Sequence, residues 1–262
     1  MRDRIILKTP QEIEAMKEAG KLSAEVLREI GARCKPGVST LDLDRFAEDF
    51  IRSHGGIPTF KGYYGYPGSI CASINDQVVH GIPSRRAVLR EGDIISIDTG
   101  ATVDGWTGDN AWTFAVGEVP YEVQRLLDVT ERCMWAGIEA AQPGNHLGDI
   151  GHAVASLAKA AGFGVVRDFT GHGIGRDMHE EPDVPNFGRR HGGVKLVPGM
   201  VLAIEPMITM GTHTVYFGED GWLATTRDGK PAAHFEKTVA VTEQGPELIS
   251  VEPDRRRPLN VG

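Results

Sequence analysis

Asp93-Ile-Ile-Ser-Ile-Asp98-Thr-Gly-Ala-Thr-Val-Asp104-Gly105-Trp-Thr-Gly-Asp109-Asn-Ala-Trp-Thr113 is two apolar, β-branched runs on either side of Asp104-Gly105. That dipeptide favours a two-residue type I′ turn, so the stretch is predicted to be a β-hairpin. With residue 103 facing 106, Asp98 falls opposite Ala111 and Asp109 opposite Gly100. The two aspartates are then diagonal neighbours on one face, about 7–8 Å apart at the backbone. Carboxylates converging among Ile, Val and Trp repel each other unless a proton or a cation lies between them. The alternative for this hairpin alone is two surface aspartates on a solvated face, and a bulge at Gly108 would break the register.

The chain around it has 262 residues, 40% hydrophobic and 24% charged, enough for one large domain or two small ones with a substantial core. A formal net charge of −8 argues against unspecific binding to nucleic acid or anionic membranes. Cys34, Cys71 and Cys133 are odd in number and widely spaced, which suits a reducing compartment rather than a disulfide framework. The start, Met1 to Lys8, holds too short an apolar run for a signal peptide, and no stretch approaches membrane-spanning length. The expectation is a soluble, cytoplasmic protein.

Thr9-Pro10-Gln11-Glu12 reads as a helix start with a capping box, followed by an apolar stripe of Ile13, Met16, Leu27 and Ile30. Ser39 or Thr40 caps a second helix carrying Leu43, Phe46, Ala47 and Phe50, which ends at Gly55-Gly56. Further helices are predicted from about Glu122 to Ala141 and from Leu147 to Ala161. Strands are predicted at Ile70–Ile74 and Val201–Ile208, with Glu236–Thr242 as the last, and His179 to Val194 reads as a turn-rich excursion. Residues 1–8 and 252–262, the latter with Arg255-Arg256-Arg257, read as tails.

The chain also repeats itself weakly at a separation of 107. Pro36-Gly37 recurs as Pro143-Gly144, Asp42-Leu43 as Asp149-Ile150, Leu89 as Leu196, Gly92 as Gly199 and Asp98 as Glu205. Two copies, about 36–120 and 143–250, related by pseudo-symmetry within a single domain, would bring equivalent acids together at their seam.

Glu205 lies in Val-Leu-Ala-Ile-Glu-Pro-Met-Ile, a run that otherwise belongs in a core. A carboxylate buried there must be protonated, paired or bound to a metal, unless Pro206 lets it reach water. Glu236 opens another apolar strand, and His172 sits between glycines in Gly171-His172-Gly173-Ile174-Gly175. Taken singly, a salt bridge explains Glu236 and a turn explains His172. Two Asp, two Glu and one His together match a site for two divalent, fairly hard cations. His179-Glu180-Glu181-Pro182 lacks the second histidine of the helical zinc motif, the glycine loop lacks a dinucleotide fingerprint, and Cys71 has no adjacent base.

In their order and spacing Asp98, Asp109, His172, Glu205 and Glu236 resemble the five metal ligands of the methionine aminopeptidases. The resemblance runs from Thr9 to about Ile249 and includes Gly65-Tyr66-Pro67, His80-Gly81-Ile82-Pro83 and His179-Glu180-Glu181-Pro182. The short interval between His179 and Glu205, and no N-terminal zinc-binding extension, resemble type I. The resemblance implies an α/β (α+β) pita-bread fold: two pseudo-symmetric halves with a curved antiparallel sheet covered by helices. It implies removal of the initiator methionine from nascent chains whose second residue is small.

It further implies two divalent ions, of Co, Mn, Fe or Zn. Asp98 would bind one, Asp109 and Glu236 would bridge both, and His172 and Glu205 would hold the other, with Glu205 as proton acceptor. His80 and His179 would bond the peptide, and Tyr63, Tyr66, Cys71, Met178 and Trp222 would line the methionine pocket. Met178 stands where the family often has Phe and Tyr64 where a His is frequent, which bears on the shape of that pocket. The implied partners are the N-terminal Met of nascent peptides and, transiently, the ribosome; neither DNA nor a membrane is expected, and the chain is expected to be a monomer. The competing readings are an X-prolyl aminopeptidase or prolidase of the same fold, a non-catalytic binding relative and, last, a phosphoesterase.

Overall fold

The structure is a computed structural model that describes residues 4–251. The whole C-terminal tail, 252–262 with Arg255-Arg256-Arg257, and residues 1–3 lie outside the described residues.

The central hairpin forms in the register read from its turn. Strand Ile94–Val103 pairs with Trp106–Ala115 along its whole length, with Val103 facing Trp106, Asp98 facing Ala111 and Gly100 facing Asp109. Asp104 and Gly105 both take positive φ, 50° and 74°, as a type I′ turn requires. Gly108 stays in the ladder opposite Ala101 without a bulge.

Helix α1 (Pro10–Gly31) lies directly across this hairpin. Thr9 and Glu12 close the expected capping box at its start. The approach is so close that a Cβ on Gly108 would sit 2.4 Å from the Gly20 nitrogen. Ser23 Oγ donates to the Thr99 carbonyl at 2.8 Å, tying the same face together. Helix α2 (Thr40–Ser53), capped by Ser39, buries Leu43, Ala47 and Ile51, while Phe46 and Phe50 are only half-buried. Helices α3 (Tyr121–Ala140) and α4 (Leu147–Ala160) cover the other half, burying Leu126, Met134, Ile150 and Val154 against Leu202 and Ile204.

Among the described residues the strands form four sheets, all antiparallel. One of four strands holds the hairpin, Ile57–Pro58 and Cys71–Ile74; one of five joins Gly245–Leu248, Lys237–Thr242, Val201–Ile204, Gly171–Gly173 and Glu180–Val184. This is the mixed α/β, antiparallel architecture expected from the sequence. The two sheets are stitched at the hairpin. Glu236 N donates to Ala111 O at 2.9 Å and Thr238 Oγ1 to Asp109 O at 2.8 Å; Thr113 Oγ1 also donates to His234 O at 2.8 Å, tying the hairpin to the three-stranded sheet that contains Ala232–His234.

Three boundaries differ from those read in the sequence. The strand expected over 201–208 is two, Val201–Ile204 and Met207–Thr209, because Pro206 has no N–H to continue the ladder. The last strand is Gly245–Leu248, a hairpin partner of Lys237–Thr242 disguised by Pro246. The excursion after His179 contains the strand Glu180–Val184, paired with Gly171–Gly173 despite Pro182. Lys8, within the segment read as a tail, is 5% exposed and ion-paired with Glu180.

Several loop hydrogen bonds recur 107 residues apart. Gly37 N to Leu89 O (2.8 Å) is matched by Gly144 N to Leu196 O (2.9 Å), and Thr40 N to Ala87 O by Leu147 N to Val194 O, both 2.9 Å. The isolated bridge Ser39–Val88 likewise has a counterpart in His146–Lys195. No described helix is long and apolar enough to cross a membrane.

Candidate metal centre

The seam between the stitched sheets is where the acids meet. Asp98 and Asp109 come from the hairpin, His172 from Gly171–Gly173, Glu205 from the break before Pro206, and Glu236 from the residue preceding Lys237–Thr242. Asp109 is 3% exposed, Glu236 1% and His172 6%. Ligand atoms of these three lie within 4.8 Å of one another. His172 Nε2 stands 3.5 Å from Asp109 Oδ2 and 3.5 Å from Glu205 Oε1.

The arrangement is unstable without a positive charge. Asp98 Oδ1 and Glu236 Oε1 are buried with no hydrogen-bond partner. Burial, and then the charge of Asp109, push both carboxyls well above the usual range. No Lys or Arg is among the described residues lining the site. The His172 ring supplies the remaining clue. Its Nδ1 lies 2.9 Å from Gly173 O, which can only accept, so Nδ1 carries a proton and Nε2, facing two carboxylates, is the nitrogen free to ligate an ion. Burial opposes protonation of His172, yet Asp109 and Glu205 raise its pKa overall. Oxygen donors with one imidazole lone pair, and no protein cation, fit divalent ions of the harder kind.

Every residue expected to act as ligand, catalytic group or pocket wall borders one cavity of about 190 Å³. Tyr66 is 3% exposed, Cys71 6% and Met178 5%, and they form its closed apolar end. Tyr66 OH donates to Ile70 O (3.1 Å) and Gly81 O (2.9 Å), and its ring meets Trp222 edge-on at 5.1 Å. Burial raises the Cys71 thiol well above its ordinary value, so it is a pocket wall rather than a nucleophile.

At the mouth, Tyr63 OH lies 2.9 Å from His179 Nδ1, and the His179 ring is 4.2 Å from that of His172. Burial first, then His172, lower the His179 pKa to about 4. His80, held at φ 62°, faces Phe169 at 5.2 Å, and burial lowers its pKa as well. Both rings are therefore neutral near pH 7.

Three residues border or brace the site without having been singled out in the sequence. Phe60 lines the cavity. Asn186, 1% exposed, donates from Nδ2 to Glu205 O at 3.0 Å. His234 sets its Nε2 3.4 Å from Glu205 Oε2. None belongs to a motif; only a polar residue in an otherwise apolar strand, as at His234, could have flagged one of them.

A cluster of buried acids with one imidazole and no Lys or Arg beside it, opening onto a pocket of aromatic rings and sulfur, defines a metal-dependent hydrolase. The chain belongs to Metallopeptidase family M24, whose model matches residues 14–243. The methionine aminopeptidase of Clostridium acetobutylicum is 52% identical over 247 residues, covering 94% of this chain and 99% of that protein. Among solved structures, the methionine aminopeptidase from Rickettsia prowazekii matches with a TM-score of 0.93 at 43% identity, covering 95% of this chain and 100% of that one. The Xaa-Pro dipeptidase from Bacillus anthracis matches at a TM-score of 0.72 but only 23% identity, with 63% of its length covered. The likeness is thus close to the methionine aminopeptidases and one of fold alone to the Xaa-Pro dipeptidase.

Proposed function

We propose that this protein is a methionine aminopeptidase that hydrolyses the bond after an N-terminal methionine when the second residue is small. The observation that carries it is the junction of the acid cluster with a closed pocket of rings and sulfur, which suits a thioether side chain. Asp98, Asp109, His172, Glu205 and Glu236 are the residues that would hold two divalent ions in this reading. Bound there, divalent ions polarise the scissile carbonyl and supply a nucleophile at neutral pH.

The protein groups do the rest. Glu205 accepts the proton of the attacking water on Oε1, the oxygen facing His172. Tyr63 fixes His179 through Nδ1, leaving Nε2–H to donate to the substrate carbonyl as charge develops there. His80 hydrogen-bonds the peptide and relays a proton to the leaving amine. Tyr66, Cys71, Met178 and Trp222 enclose the methionine side chain, with Tyr63 at its edge.

The unit that does this is one domain of two pseudo-repeats, about 36–120 and 143–250, a division supported by the hydrogen bonds that recur at 107. The working context in this reading is a cytoplasmic monomer that meets nascent chains transiently at the ribosome. Purified protein with Mn²⁺ or Co²⁺ is expected to cleave Met-Ala-Ser in preference to Ala-Pro-Ala. Preference for the proline peptide would move the assignment to the prolidases, and binding without turnover of either would make it a non-catalytic relative.

A further inference from the structure

Glu205 lies between two imidazoles. His172 Nε2 is 3.5 Å from its Oε1, and His234 Nε2 is 3.4 Å from its Oε2. His234 is 1% exposed, and its Nε2 is sealed from solvent with no hydrogen-bond partner. Leaving a buried polar group unpaired is destabilising, so a nitrogen in that position is kept for a partner. The acceptor in front of it is Glu205 Oε2.

We propose that His234 is the positioning residue for Glu205: its Nε2–H holds Oε2 and thereby turns Oε1 toward His172 and the ions. The inference rests on the reading of Glu205 as ligand and proton acceptor. His234 cannot easily move to serve anything else. Its N–H donates to Thr113 Oγ1 at 2.9 Å, Thr113 Oγ1 donates back to His234 O at 2.8 Å, and the residue pairs with Met207 across the neighbouring strand. On the other flank Asn186 Nδ2 holds the Glu205 carbonyl at 3.0 Å. With the main chain of Glu205 anchored, the rotation of its carboxylate is the remaining freedom. A small turn of that group closes 3.4 Å to a full hydrogen bond, the kind of tightening that loaded active sites show.

The same geometry argues for a donor rather than a sixth ligand. His234 Nε2 faces Glu205 Oε2, a hydrogen-bond acceptor, at 3.4 Å, whereas His172 Nε2 faces both Asp109 Oδ2 and the other Glu205 oxygen, Oε1.

The test compares wild type with His234→Gln, whose amide N–H reaches about as far as the ring Nε2, and His234→Leu, which has no donor. Three readouts are taken: calorimetric affinity of the chelated protein for Co²⁺, the visible spectrum of the Co²⁺ form, and kcat and KM separately on Met-Ala-Ser. The Leu variant is expected to lose about 10–100-fold in Co²⁺ affinity or kcat, as loss of a group orienting a ligand does, with KM near wild type. The Gln variant is expected to recover most of that loss with a Co²⁺ spectrum like wild type. Wild-type affinity and kcat in the Leu variant would overturn the inference, as would a Gln variant no better than Leu. If the Leu variant does not fold, the Gln spectrum decides: an unchanged ligand field supports a donor, and the loss of one nitrogen ligand overturns it. Wild type that binds no Co²⁺ would overturn the functional reading as well, whereas a working wild type matched by the Leu variant sinks this inference alone.

Discussion

Cys71 and Asp98 stand directly opposite each other on neighbouring strands. The wall of the side-chain pocket and a carboxylate of the acid cluster are therefore set by one strand register, and a slip of one residue would turn both away. Because that wall is sealed, Cys71 is expected to resist alkylation in the folded protein. Cys34 and Cys133 should resist too, since burial pushes each of their thiols up to about 12. Iodoacetamide labelling near pH 8 read by mass spectrometry checks this, with thiolate as the reactive form; rapid labelling of Cys71 would mean that the pocket end is open.

Replacing Asp98 by Asn should separate binding from folding. Without metal, burial with Asp109 and Glu205 forces the Asp98 carboxyl to keep a proton that the unfolded chain releases, and Asn carries no such cost, so chelated Asp98→Asn should melt higher than chelated wild type near pH 7. With Mn²⁺ the order should reverse, and activity should fall by about 100-fold or more, as expected for loss of a ligand. Melting curves in both states check it. A chelated variant less stable than wild type would show that Asp98 serves the fold rather than an ion.

Chelated protein should lose stability as pH rises. Burial, then the charge of Asp109, raise the carboxyl pKa values of Asp98 and Glu236 in the fold, so the folded state holds protons that the unfolded state has released. That contribution is complete below the ordinary carboxylate pKa of about 4 and fades as pH climbs toward the raised values. The raised pKa of His172 acts in the same direction. His80 and His179, whose pKa values are lowered, oppose the trend only below about pH 6.5. The fall is therefore read between roughly pH 6.5 and 8.5, and saturating Mn²⁺ should flatten it. A chelated protein whose melting temperature rises over that window would contradict the account.

Gly108→Ala should damage both fold and site. Its Cβ would meet the Gly20 backbone at 2.4 Å, so α1 must lift from the hairpin beside Asp109. Overpacking of this kind costs about 3 kcal/mol or more, with about 2–4 °C of melting temperature for each kcal/mol in a protein of this size. Weaker Mn²⁺ binding should accompany it. Calorimetry and a melting curve suffice, and an unshifted transition would mean that the contact is not tight.

The hairpin was legible because Asp104-Gly105 specifies its own turn and the turn specifies every cross-strand pair as far as Asp98 and Asp109. Glu205 and Glu236 were legible as acids in apolar runs, and His172 only in their company. His234 and Asn186 were not, since a single imidazole or amide in a strand or loop gains meaning only from what the fold places opposite it. The break at Pro206 and the final strand through Pro246 were misjudged because proline weighs differently at a strand end, or at an edge, than within a ladder. The order and spacing of the five residues pointed to the family; which of their oxygens lack partners is a property of the assembled seam.

The most direct test of the central claim is to return Mn²⁺ or Co²⁺ stepwise to chelated protein while following methionine release from Met-Ala-Ser, for wild type and Asp109→Ala. Release should be absent in the chelated state, return in proportion to bound metal in wild type, and stay absent in the variant although it remains folded. Release that persists in excess chelator, or that returns equally in Asp109→Ala, would contradict the claim that ions held by these acids perform the cleavage.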